Sequence, residues 1–488
     1  MKLHLEFVTT QTPAHRARLE YAFRCFCAIY GHDPLIAPNE MSSADLRISY
    51  STTPGTNARP VVCIPDLYRP RALNVPAPAP QFVKMGTSKM PLIHGCTRKG
   101  PDWLGEIFEW LSCSDEYSIT DRDSVGRIPF DRSYVSRHAL DACVPYAALA
   151  MRGMQQLLCQ DGGVAVPPKH PCNGTGQFVV NTHDVDFFPL TRGGTLFRAA
   201  KNSLLSLLVD KQPATACSQA VAALKMAVNG HAPQMQIDHL ARDETERGAS
   251  ASYYFIVKQG HRRDGNYRID DSRVLRSLRI LEGSGMEVGV HGSYSSLDHD
   301  CGLSREYESL RSQGFTARGG RQHWLRFNLP RLISEVQKSN AFYDASLGWS
   351  ETIGFRAGAC FAFPPYDFVS EKPAGFLELP LAIMDCSLLG GKGKASAFAQ
   401  AKTLFEESRT LAWGGFSVLW HPTSFGGVQL PRWVGDLFWA LMEDSLKASD
   451  TWVSAKSFLD STWALYADVG LLPNGSTRTP RRALEVGA

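Results

Sequence analysis

A run of apolar residues ending in two carboxylates and an imidazole, Phe178-Val-Val-Asn-Thr-His-Asp-Val-Asp186, constrains this chain more than any other stretch. It reads as a buried strand whose carboxyl end delivers polar groups, the place where parallel α/β folds carry chemistry. Side chains alternate along an extended segment, so Asp184 and Asp186 share one face while His183 and Val185 take the other. Two acids in one cavity repel each other unless a cation lies between them or one keeps its proton. The same residues also suit a plain strand-to-loop turn, where Asp bonds to nearby backbone. Later segments decide between these readings.

A chain of 488 residues is too long for one ordinary core, which predicts two domains. With 44% hydrophobic and 20% charged residues it has the composition of a soluble globular protein, and a formal charge of +3 leaves no nucleic-acid footprint. The start, Met1-Lys-Leu-His-Leu-Glu-Phe, has no apolar signal region. No stretch approaches the ~20 apolar residues that cross a bilayer, so a cytoplasmic protein with no integral membrane segment is expected. The 12 cysteines are scattered and read as reduced core thiols.

Residues 1–160 predict a smaller mixed α/β domain, with helices over 16–30, 103–111 and 139–158 and a short strand over 59–65. His94 and His138 are isolated there and read as structural. Gly and Pro crowd into 161–176, which reads as a linker. Residues 177–470 form the second predicted domain, and 471–488, with Arg478, Arg481 and Arg482, a solvated tail.

Within 177–470 strands are expected at 178–181, 252–257, 286–290, 316–322, 354–357, 377–384 and 416–420. Helices are expected between them at 196–209, 272–283, 305–313, 330–339 and 397–410. Such alternation predicts parallel strands with right-handed crossovers, as an open sheet or a barrel. A barrel gathers the carboxyl ends of its strands at one rim. There the sequence puts Asp184 and Asp186, His291, Arg321 and His323, Arg356, Asp385, and His421. Gly390-Gly-Lys-Gly-Lys-Ala-Ser396 lacks the ending and the preceding strand of a phosphate loop.

The segments in order are Thr182-His-Asp-Val-Asp186, His291-Gly-Ser-Tyr294, Arg318-Gly-Gly-Arg-Gln-His323, Gly354-Phe-Arg-Ala-Gly358, Ile383-Met-Asp385 and Val418-Leu-Trp-His-Pro422. Taken together they resemble the polysaccharide deacetylase superfamily, carbohydrate esterase family 4 and its relatives, in the branch with an extra N-terminal domain. The resemblance implies an irregular (β/α)7 barrel with a divalent metal at its rim, zinc with cobalt or nickel as alternatives. It implies a metal-dependent hydrolase that removes an acyl group, acetyl foremost, from an amino sugar or related amide. The substrate is then a small molecule or oligosaccharide carrying an acylamino group, such as a soluble or lipid-linked precursor. Carried over by position, Asp184 is the base, Asp186 and His291 are metal ligands, Arg356 orients the base, and Asp385 supports His421 as the acid. A non-sugar C–N bond, or a binding protein with a degenerate site, are the other readings.

Two departures stand out. Val185 separates the two acids, so base and ligand roles are exchangeable. Ser295 stands where the family has a second histidine, four residues after His291, and serine is a poor transition-metal ligand. His323 is the expected third ligand, with His299 as the alternative. Arg321 is expected at the rim, as an ion-pair partner or a substrate contact, and Arg326 beside a loop acid such as Asp344. Among the aromatics, Tyr294 and Tyr366 are expected to stack on substrate, and Trp324 and Trp420 to pack in the core.

Overall fold

The computed structural model describes residues 1–8, 11–51, 61–86, 88–163, 176–188, 237–389, 393–411, 414–425 and 430–474, with single positions between 200 and 224. Most of the expected linker and tail, the helix at 196–209 and the start of the Gly-rich segment at 390 lie outside them.

The first unit is built on strands Lys2–Phe7 (β1), Asp33–Leu35 (β2), Leu46–Tyr50 (β3) and Val61–Ile64 (β4), all parallel in the order β2-β1-β3-β4. Helix Pro13–Tyr30 starts where Thr12 accepts the His15 N–H and stops at Gly31, whose left-handed φ of 67° only glycine adopts freely. Helices Trp103–Ser112 and Tyr146–Gly162 pack together, the latter opening just after Pro145 rather than at residue 139. Hairpins Gln81–Met85/Ser88–Leu92 (β5/β6) and Cys96–Thr97/Gly100–Pro101 (β7/β8) complete this unit.

The second sheet holds strands Phe178–Val185 (β9), Ser252–Ile256 (β10), Glu287–Gly292 (β11), Gly319–Gln322 (β12) and Tyr343–Asp344 (β13). After the antiparallel pair Tyr366–Asp367/Lys372–Pro373 (β14/β15) come Leu377–Glu378 (β16), Leu381–Met384 (β17), Gly414–Leu419 (β18) and Thr451–Val453 (β19). The order is β16-β13-β12-β11-β10-β9-β18-β17, every ladder is parallel, and β19 pairs β9.

The two ends of that path are consecutive in the chain. β16 and β17 run the same way with only residues 379–380 between them, so the 377–384 segment pairs β13 with its first part and β18 with its last. Pro380, which has no N–H to give, sits where the partner changes. The sheet therefore curls until its strands follow one another round a ring in chain order. β9, β10 and β11 are buried on both faces, which explains the almost wholly apolar run of β10 and the apolar start of β9.

One expectation is corrected. Residues 354–357 form no strand: Gly354 and Gly358 take φ of 144° and 61°, and the Phe355 N–H goes to Ala142 O. The strand in that part of the ring is Tyr343–Asp344, too short to show alternation in sequence. One continuous apolar core spans both units, joining Leu3, Phe108 and Met154 to Val180, Phe255 and Phe416. No described helix is long and apolar enough to cross a membrane.

Candidate active site

β9 carries both acids to the carboxyl end of the ring. Asp184 and Asp186 line one cavity of about 290 Å³, together with His291 from the end of β11, His323 just past β12, and His421 just past β18. His183 turns the other way and is fully buried, its Nε2 at 2.7 Å from Glu244, which also accepts from Asn181 and Tyr253. The period-2 reading of this strand holds.

The inner atoms of three side chains meet. His291 Nε2 and His323 Nδ1 are 3.1 and 3.2 Å from Asp186 Oδ1, and 2.9 Å from each other. Each ring has committed its outer nitrogen: His291 Nδ1 donates to Arg321 O at 2.9 Å and His323 Nε2 to Arg263 O at 2.7 Å. With the rings neutral, the inner nitrogens are therefore both lone pairs, aimed at each other and at a carboxylate oxygen. Asp186 Oδ1 is buried and has no hydrogen-bond donor among the described residues.

Such a set repels itself unless a cation sits in it. Ligand atoms ~2.0 Å from a tetrahedral zinc stand ~3.3 Å apart, close to the observed spacings. Asp186, His291 and His323 are a group that could hold a metal ion, and backbone carbonyls of this kind are the outer partners that fix ligand histidines. A proton is the alternative cation: burial acts to lower His323, but the Asp186 carboxylate outweighs it and raises its pKa. Burial likewise acts to raise Asp186, yet His323, His421 and His291 hold it well below the usual carboxylate range.

Asp184 stands beside this set, its Oδ2 at 3.7 Å from His291 Nε2. Its Oδ1 accepts from Arg321 Nη1 at 2.9 Å. The Arg321 side chain is fully buried and also donates to Thr182 Oγ1, Ala345 O and Ser417 Oγ. On the other flank His421 Nε2 is 3.5 Å from Asp186 Oδ2, while its Nδ1 is 2.9 Å from Asp385 Oδ1. Asp385 is held by the N–H groups of Cys386 and His421 and by the Ser424 hydroxyl. Burial alone would lower His421, but the carboxylates of Asp385 and Asp186 raise it well above the ordinary imidazole value. A charged imidazole on a carboxylate at the cavity wall is a proton donor in waiting.

Other expected positions fall elsewhere. Arg356 does not reach Asp184: its buried guanidinium donates two parallel hydrogen bonds, Nε to Oε1 and Nη2 to Oε2 of Glu116 in the first unit, both at 2.7 Å, because the 354–358 loop turns outward. Tyr366 is buried among Tyr21, Phe108 and Phe368, with its hydroxyl on Glu371, and lines no part of the cavity. Tyr294 is half-buried and also lines no part of the cavity, stacked on His261 at 4.3 Å and flanked by Arg263 and Arg326. Arg326 pairs with Asp298 at 2.8 Å rather than with Asp344. His299 is exposed and Ser295 does not line the cavity. Gly292 makes room for the Gln322 side chain.

Trp324, Arg127 and Glu351 are among the groups lining the cavity that the sequence reading missed. Trp420 is fully buried, as expected, but Trp324 is 43% exposed at the rim. It and Leu325 both take left-handed backbone, φ 64° and 51°, a strained pair that turns the indole outward. Adjacency to the Arg-Gln-His run was the signal available for Trp324. None existed for Arg127.

No family model matches this chain, and no curated protein does. Among solved structures it is similar to a BA3943 mutant, a CE4 family pseudoenzyme with restored enzymatic activity, at 10% identity over 58% of this chain and 68% of that one, TM-score 0.29. It is also similar to Puue allantoinase, at 14% identity over 62% of this chain and 95% of that one, TM-score 0.38. Likeness at those scores carries no weight for the chemistry, which rests on the geometry of this site.

Proposed function

We propose that this chain is a metal-dependent hydrolase of an amide C–N bond, releasing an acyl group, acetyl foremost, from an amino sugar or related amide. In this reading the ring is an irregular (β/α)7 barrel of the polysaccharide deacetylase type, with residues 1–160 as a separate N-terminal domain. The observation that carries it is the trio of inner acceptor atoms on Asp186, His291 and His323, with both outer ring nitrogens already donating.

Those three residues would hold the ion, His323 taking the place Ser295 leaves open. A divalent ion bound there supplies Lewis acidity toward an acyl oxygen and lowers the pKa of water in its shell. Asp184, aligned by Arg321 in place of Arg356, accepts the proton of the attacking water. His421, charged through Asp385, returns a proton to the departing amine, a step that amide cleavage needs more than ester cleavage does. Trp324 offers an exposed aromatic face to a sugar ring.

The test starts from chelator-stripped protein, reloaded with zinc, cobalt or nickel and assayed for bound metal. Acetate and ammonia release are then followed over a panel of N-acetyl amino sugars and small amides. Stoichiometric metal, acetate release, and its loss in Asp184→Asn with fold and metal intact are expected. Ammonia release instead would move the reaction to another C–N bond. Absence of any metal would leave a non-catalytic binding protein.

A further inference from the structure

The cavity wall is not built by the ring alone. Arg127, from the first unit, lines it beside the candidate ligands. The segment around it is clamped onto the rim: the Tyr294 hydroxyl donates to Val125 O at 3.3 Å, and Phe130 packs edge-on against Trp349 at 5.3 Å. Within the segment, Asp123 Oδ1 accepts the N–H groups of Val125 and Arg127, both at 2.9 Å. Its Oδ2 takes Arg127 Nε at 2.8 Å, and Arg127 Nη1 donates to Trp324 O at 3.2 Å.

That leaves the far end of the guanidinium. Nη2, and the second hydrogen of Nη1, have no acceptor among the described residues. A guanidinium fixed on two sides, with its fork open, has little freedom left to lose on binding and favours an anion that can take two parallel hydrogen bonds. It is attached to the backbone of Trp324, so the cation and the exposed indole are presented as one unit.

We infer that Arg127 is a specificity-determining residue that recognises an anionic group, carboxylate or phosphate, carried by the acylamino substrate away from the scissile bond. This rests on the hydrolase reading for the rest of the substrate. The first unit then has a role in the chemistry: it supplies the wall that selects acidic substrates. Glu351, which lines the same cavity, is the competing explanation, because Arg127 would also serve there as its counter-charge.

The probes are N-acetylglucosamine, N-acetylmuramic acid and N-acetylglucosamine 1-phosphate: neutral, carboxylate-bearing and phosphate-bearing. Binding to the metal-free full-length chain is measured by calorimetry, and acetate release by the zinc-loaded enzyme. An anionic probe should bind about tenfold or more tightly than the neutral one, and Arg127→Met should erase that margin, weakening the anionic probe about tenfold more than the neutral one, whose smaller loss comes from the Trp324 backbone contact. In turnover the same variant should raise KM for the anionic probe with kcat retained. Which anion shows the preference identifies the group. Equal affinity for all three probes, equal weakening of all three in Arg127→Met, or recovery in Arg127→Met/Glu351→Gln would each overturn the assignment. Anion-selective binding without acetate release would instead sink the hydrolase reading and leave Arg127 as an anion site.

Discussion

Arg321 Nη1 lies 2.9 Å from Asp184 Oδ1 across 137 residues of chain, and this pair, not Arg356, fixes the first acid of the site. β12 places the guanidinium inside the ring, where Thr182, Ala345 and Ser417 take its other hydrogens. Two buried arginines thus do different work. Arg321→Lys cannot reproduce a fork that serves four acceptors, so turnover should drop by two orders of magnitude or more while metal still binds. Arg356→Lys should lose stability through the Glu116 pair, with breakage of a buried pair costing ~3–5 kcal/mol, and keep its kcat. Urea unfolding and steady-state kinetics on both variants check this; a reversed pattern would return the orienting role to Arg356.

The ligand assignment is tested by metal content. His323→Ala and His291→Ala each remove one of three inner atoms, and occupancy after dialysis against a weak chelator should fall at least tenfold. His299→Ala, on an exposed loop, should bind like wild type. Loading wild type should also raise its Tm, since ligand that binds only the folded state stabilises it. A drop in His299→Ala with His323→Ala unaffected would reassign the third ligand.

Much of this site was legible in the sequence because alternation is strict. Strand period 2 put Asp184 and Asp186 on one face and His183 on the other, and that survives in β9. His291 and His421 each follow an apolar run, and His323 follows the short Gly-Gly-Arg-Gln strand, so the ends of β11, β12 and β18 could be read as a common rim. The partner of Asp184 was not legible. Arg321 and Arg356 both sit in segments that read as strands, and the choice depends on whether residues 354–357 pair as a strand or turn outward, which two glycines with positive φ decide. Tyr294 and Tyr366 were misplaced for a related reason. An aromatic next to a motif carries no sign of what packs on it: Tyr294 stacks on His261, and Tyr366 is buried against Tyr21. Arg127 had no signal because its place depends on how the first unit folds over the ring.

Asp344 and Glu378, on the neighbouring strands β13 and β16, give the fold a pH dependence. Burial pushes both carboxyls up, and the charge of Asp344 pushes Glu378 further, so Glu378 keeps its proton and shares it with Asp344. The folded state thus holds protons that the unfolded chain gives up above about pH 4. Protons bound more tightly in the native state make stability fall as pH rises. The contribution is complete below about pH 4 and is lost as pH climbs through the folded values. Glu378→Gln keeps an acceptor for the Leu347 N–H and a donor for Asp344 without the titration. Unfolding free energies from pH 4 to 8 should therefore fall less steeply in the variant than in wild type. Equal slopes, or a steeper one in the variant, would refute the shared proton.

His421 as acid predicts a dependence on the leaving group. An amine departs with difficulty unless it is protonated, whereas a nitrophenolate leaves without help. His421→Ala should therefore cost about 10²–10⁴-fold in kcat on an N-acetyl amine but much less on 4-nitrophenyl acetate. Asp385→Asn should show the same selectivity at smaller size, since it removes the carboxylate that keeps the imidazole charged and oriented, with its Nδ1 contact at 2.9 Å. Asp184→Asn, by contrast, should depress both substrates together, because each needs the water's proton taken. An equal loss on amide and ester in His421→Ala would mean that the histidine shapes the cavity or the metal site instead of donating a proton. The ratio of the two losses, rather than either alone, separates those roles.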